Sequence, residues 1–241
     1  MKRLFPILSI VTAFLLAYAL YQALVVAPTD AQQGDVYRII YYHVPSAWTA
    51  FLLFLINFVA SIVYLIRRSP KADMIALVSA EVGVVFCTIV LVTGPIWARP
   101  VWGIWWAPGD IRLTSTLVLW LIYVSYLLLR RFSNSAQTQM LAAALAVFGA
   151  LDVPLVYFSI WFFRTQHPQP VIGGGGSMDP RMLHTLLINW LAFVCFAFLV
   201  AWSRYRLEQL QREIEQAHAM RSLVGSAVAA KASLPLSRSS R

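Results

Sequence analysis

The chain has 241 residues, of which 60% are hydrophobic and only 12% charged, with a formal net charge of +9. A soluble domain of this size carries about a quarter charged residues, so the composition excludes an ordinary globular domain and assigns most of the chain to lipid. The excess Lys and Arg cluster in short connecting segments and in the C-terminal tail, a pattern that reports membrane orientation rather than nucleic-acid binding.

A spanning helix needs about 20 mainly apolar residues. Six stretches meet or approach that length: 5–26, 48–66, 74–92, 114–129, 140–158 and 183–202. The fourth starts a little earlier, within 111–113. The runs are too long for strands and lack the two-residue alternation of a membrane barrel. The fold expected is therefore all-α, a polytopic bundle of six transmembrane helices occupying 1–203. The first stretch follows Lys2 and Arg3 like a signal peptide, but its apolar run exceeds the usual core of about 7–15 residues, so it reads as a retained helix. Basic residues flank alternate connections: Arg67, Arg68 and Lys71; Arg130 and Arg131; Arg204, Arg206 and Arg212. The positive-inside rule then puts both termini in the cytoplasm and the segments 27–47, 93–113 and 159–182 together on the outer side. Beyond residue 203, Leu207, Leu210, Ile214 and Ala217 share one helical face, and Glu208 precedes Arg212 by one turn. Residues 204–241 thus read as a cytoplasmic amphipathic helix ending in a disordered basic tail from 227. The cysteines, Cys87 and Cys195, form no C-x-x-C motif and read as small buried apolar residues.

The segment between spans three and four is the most informative. It holds Trp97, Trp102, Trp105 and Trp106 together with Arg99, Asp110 and Arg112. Ordinary interfacial anchoring uses one or two aromatic residues per helix end, so four indoles suit a platform for a flat apolar ligand with a polar edge. His43 falls in the first outer segment and His167 in the third. Neutral imidazole is a ligand for haem iron, and a pair on opposite faces of the ring is a common arrangement. Indole faces can hold the macrocycle, and Arg38, Arg99 and Arg112 can pair with its propionates. Read singly, the histidines are surface hydrogen-bonding groups and the arginines headgroup contacts; the shared side of the membrane favours a joint role. His184 competes weakly as a ligand, and His218 lies in the tail. Glu81 and Asp152 are ionisable groups inside apolar runs, where function is common. A helix-packing hydrogen bond is the plainer reading of each, and Asp152, with Pro154 kinking the fifth span, is expected beneath the ligand. The four-glycine run 173–176 reads as a flexible stretch beside His167, not a phosphate loop.

These motifs resemble the haem exporter protein C family, the cytochrome c maturation membrane protein C of the haem-handling proteins with a WWD motif. The resemblance spans about residues 30–200. It rests on Gln33-Gly34, the run from Tyr37 through Arg38 to His43-Val44-Pro45, Trp102-Gly103-Ile104-Trp105-Trp106 with Asp110, Arg112-Leu113-Thr114-Ser115, and His167 with Ser177-Met178-Asp179-Pro180. The family's W-W-x-W-D stretch reads here as Trp105-Trp106-Ala107-Pro108-Gly109-Asp110, one tryptophan short and one residue longer. The resemblance implies a b-type haem, bound non-covalently and transiently at the periplasmic side of a bacterial inner membrane, with His43 and His167 as the axial iron ligands. The tryptophan-rich loop would hold the macrocycle edge and present a vinyl group. It further implies a periplasmic haem chaperone that takes the haem through its own histidine, ATP-binding-cassette transporter subunits, a small single-span membrane subunit and no nucleic acid. The protein is then a haem-delivery device rather than an enzyme. The rival is a cytochrome-b-type electron-transfer subunit working with quinone, although its histidines usually sit inside helices. A plain transporter has only Glu81, Asp152 and Asn57 to line a path.

Overall fold

The computed structural model describes residues 4–133, 135–163, 165–168 and 178–232, with side chains described up to 226. Residues 233–241 of the expected disordered tail and the glycine run 173–176 lie outside the described residues. The described residues form seven α-helices: α1 (Leu4–Tyr21), α2 (Ile40–Arg67), α3 (Pro70–Trp102), α4 (Ile111–Phe132), α5 (Ala136–Ala150), α6 (Asp152–Phe162) and α7 (Pro180–Ala232). A π-helical turn, Gln22–Val26, prolongs α1, and a 3-10 turn, Asp35–Ile39, leads straight into α2. With α5 and α6 forming one crossing, six helical stretches are long and apolar enough to span a membrane. Phe14, Ile66, Phe132 and Phe162 are each more than 70% exposed, as lipid-facing side chains are.

Local chemistry sets the helix ends. Pro70 opens α3 where a missing N–H costs nothing, and the Ser69 hydroxyl accepts the Ala72 N–H. The Asp110 carboxylate caps α4 and Ser135 caps α5. Gly103, at φ 77°, closes α3 by returning its N–H to the Arg99 carbonyl, in a left-handed conformation that a side chain would strain.

The helices reach further than the apolar runs. His43 was expected in a loop; it is the fourth residue of α2, because the 3-10 turn delivers the chain already wound and Pro45 is carried inside the helix. Likewise Trp97, Arg99 and Trp102 stand on the last turns of α3, which continues through Pro95 and Pro100. Each proline removes one ladder hydrogen bond, yet neighbouring helices hold the winding. At 33 residues, α3 is about 50 Å long, well beyond a hydrocarbon core of about 30 Å. The fifth crossing breaks at Leu151, just before Asp152 and Pro154. Six residues of the tail expected to be disordered, 227–232, are helical.

Helix α2 is the hub, packing on α3, α5 and α7, while α1 rests on α7 and α4 bridges α3, α5 and α6. The centre is filled by Phe54 stacked on Tyr123, ring centroids 3.8 Å apart and both rings fully buried. Two glycines allow the helices to close around it. A Cβ on Gly83 would lie 2.7 Å from the Phe54 ring, and one on Gly149 would lie 2.6 Å from Ile122 Cγ2. We expect Gly83→Val to lower the yield of folded protein sharply, because the trapped Phe54 ring cannot move aside; overpacking of this kind costs about 1–3 kcal/mol. Fluorescence-detected size-exclusion of the variant checks it.

The basic end of the bundle is tied by ion pairs. The Asp73 carboxylate accepts from Arg130 and from Arg212, each at 2.8 Å. Arg204 pairs with Glu81 at 2.8 Å and with Glu208 at 3.1 Å, and Arg212 also holds Glu208 at 2.8 Å. Glu81 is thereby a helix-packing group, as its plainer reading had it. Through Arg204 and Arg212 the 53-residue helix α7 is fastened to α3.

Candidate functional site

The opposite end of the bundle holds a cavity of about 630 Å³ between α2, α3, α4, α6 and α7, within the range of small-molecule and cofactor sites. His43 and His167 both line it, with Trp97, Trp106 and Arg112. No three His, Cys, Asp or Glu side chains converge on a metal position among the described residues.

Each histidine has a polar neighbour, and only that of His43 is within hydrogen-bond geometry. The His43 Nδ1 lies 2.9 Å from the Thr93 hydroxyl of α3. The His167 Nδ1 lies 3.5 Å from the Asp110 Oδ1, and its ring meets Trp102 edge-on at 5.3 Å. Asp110 is the keystone of this corner. Its Oδ1 accepts the Leu113 N–H at 3.1 Å, capping α4, and its Oδ2 accepts the Gln166 N–H at 3.0 Å. Burial opposes its ionisation, but the His167 imidazole and the two backbone N–H groups outweigh that and hold the carboxyl down at about 2. Asp110 therefore remains an anion that fastens the His167 segment to α4.

The tryptophans divide their tasks. Trp97 donates its indole N–H to Gln33 Oε1 at 2.8 Å, joining α3 to the segment before α2. Trp97 meets Trp102 edge-on at 5.0 Å, so a continuous string of contacts runs from Gln33 through both indoles to His167. Trp106 lines the cavity, whereas Trp105 is 59% exposed and stands outside it. Sequence reasoning missed two further walls: Trp48 of α2 and Trp190 of α7 both line the cavity and meet edge-on at 5.3 Å. Trp48 opens the second apolar run and Trp190 lies inside the sixth, where an indole looks like core, and only the buried Trp190 N–H, with no partner among the described residues, marks that residue out.

The arginines separate clearly. Arg38 is engaged by the Ala23 carbonyl at 2.7 Å and by Asp35 at 2.9 Å, and Arg99 by the Gly103 carbonyl; neither lines the cavity. Arg112 does, and its guanidinium has no hydrogen-bond or ion-pair partner among the described residues. A half-buried unpaired cation calls for an anion. Asp152, with one carboxylate oxygen buried and unpartnered, lies at the α5–α6 break, where its neighbours Cys87 and Val156 line the cavity but it does not. His184 is exposed at the start of α7.

A six-span helical membrane protein with an aromatic cavity at one end, bearing two imidazoles and a free guanidinium, is the class that fold and site define. The family model described as heme exporter protein C matches residues 1–220. Heme exporter protein C of Bradyrhizobium diazoefficiens is 35% identical over 223 residues, 91% of this chain and 84% of the relative. The Haemophilus influenzae protein of the same name is 30% identical over 217 residues, 89% of this chain and 88% of its own length. That of Escherichia coli (strain K12) is 34% identical over 181 residues, 75% and 73% of the two chains. The chain belongs to the heme exporter protein C family.

Proposed function

We propose that this chain takes haem as its cargo at the periplasmic face of a bacterial inner membrane and delivers it to a periplasmic haem chaperone for c-type cytochrome biogenesis. The observation that carries the reading is the convergence of His43, His167 and the unpaired Arg112 on one aromatic-walled cavity. In this reading His43 and His167 would ligate the iron, Arg112 would neutralise a propionate, and Trp97 and Trp106 would supply apolar walls for the ring. The haem is b-type, non-covalent and transient. ATP-binding-cassette subunits and a small single-span subunit complete the assembly, as the family resemblance implies. The cytoplasmic placement of both termini follows from the distribution of Lys and Arg.

Trp105 supports an edge-transfer role, since a large exposed indole next in the chain to the cavity-lining Trp106 is suited to docking. Replacing Trp105 and Trp106 together by alanine is expected to cut chaperone loading at least about tenfold, the scale of one aromatic anchor, with membrane insertion unchanged. Haem staining of the chaperone against quantified membrane protein checks this, and equal loading by wild type and variant removes the platform role. The rival, an electron-transfer subunit of cytochrome-b type, draws some support from the helical position of His43. A redox titration paired with a quinone-reduction assay separates the two: reversible cycling with quinone turnover favours the rival, and haem transfer without turnover favours delivery.

A further inference from the structure

The contact between α2 and α3 at the cavity defines more than the position of His43. Thr93 Oγ1 lies 2.6 Å from the Ile89 carbonyl, one turn back in α3, and 3.4 Å from that of Val90. A hydroxyl has a single proton, and the Ile89 carbonyl, at the shorter distance, takes it. Thr93 Oγ1 can therefore only accept from its third neighbour, the His43 Nδ1 at 2.9 Å. That nitrogen must carry the ring proton, which leaves Nε2 with its lone pair free. The adjoining residue supplies the room, for a Cβ on Gly94 would lie 3.4 Å from His43 Cε1. The Ile89 carbonyl is fixed by the helix, so the direction of the whole relay, from His43 through Thr93 to Ile89, is set by the backbone.

We propose that Thr93 is the positioning residue that fixes His43 in the tautomer with a bare Nε2, ready to take a metal. The proposal rests on the haem-binding reading above, and it concerns His43 alone, whose Nδ1 has a hydrogen-bond partner in Thr93.

Two measurements test this on the full-length protein in detergent. In haem-free protein labelled with 15N-histidine, the ring-nitrogen shifts separate a protonated from a bare nitrogen. Wild type and Thr93→Ser should show His43 protonated at Nδ1, and Thr93→Val, which keeps the shape but loses the hydroxyl, should show a mixture. A single unchanged tautomer in Thr93→Val overturns the assignment. With haemin added, Thr93→Val should bind about 10- to 100-fold more weakly, the usual effect of losing an outer partner of a metal ligand, and Thr93→Ser should recover. If the wild-type protein gives a bis-histidine spectrum and Thr93→Val matches its affinity, Thr93 has no such role while haem binding stands. If wild type gives no bis-histidine spectrum, the haem reading itself fails, whatever the tautomer.

Discussion

Alanine at His43 or at His167 is expected to strip haem from the purified protein. If both imidazoles ligate the iron as proposed, each substitution would leave it with one protein ligand. The loss should exceed about tenfold, because removing even an outer-shell partner of a metal ligand costs that much. His43→Ala removes a half-buried ring packed beside Gly94 and Thr93, and the space left is large enough for free imidazole. Added imidazole should restore a six-coordinate spectrum in that variant, which distinguishes a missing ligand from a collapsed cavity. The readout is the Soret and visible bands of detergent-purified protein. Retention of the six-coordinate low-spin spectrum in either alanine variant would falsify the ligand assignment.

The largest effect on stability is expected at the other end, from Asp73→Asn. The Asp73 carboxylate is 4% exposed and serves both Arg130, which is 2% exposed, and Arg212, which is 21% exposed. Arg212 can turn to solvent or to Glu208, which it already holds. Arg130 cannot, and two of its nitrogens are without partners among the described residues even with Asp73 in place. Breaking one side of such a buried pair costs about 3–5 kcal/mol, whereas replacing all partners with apolar residues of similar volume is often close to neutral. Asp73→Asn should therefore unfold at a temperature lower by about 6–20 °C. Asp73→Leu combined with Arg130→Met and Arg212→Met should recover much of that loss. A triple variant less stable than Asp73→Asn would show that the charges contribute net stability and do not merely satisfy one another.

The number of crossings was legible because lipid demands a run of apolar residues for each, and six such runs stand out. The ends of the helices were not. His43, Pro45 and Ser46 interrupt hydropathy without interrupting the helix, and Pro95 and Pro100 look like terminators but are borne inside α3. Chemical type pointed to Asp110 and Arg112 as members of the site, but it could not reveal that Asp110 acts on His167 and on two backbone N–H groups. Arg38 and Arg99 illustrate the reverse case. Their charge suggested ligand contacts, yet each is engaged by a backbone carbonyl, a partner no sequence pattern displays. Thr93 was invisible for a related reason: its importance lies in one short distance to a ring 50 positions earlier in the chain.

Helix α7 runs unbroken for 53 residues, a rod of about 80 Å. One tip begins at Pro180, and the shaft carries Trp190 into the cavity wall before it passes the clamp of Arg204 and Arg212. That clamp acts as a fulcrum. Because Trp190 and the clamped Arg204 and Arg212 stand on one continuous helix, a tilt of α7 about the clamp would displace Trp190 at the cavity wall. The same helix thus joins the ion-paired end of the bundle to the wall of the cavity at the other.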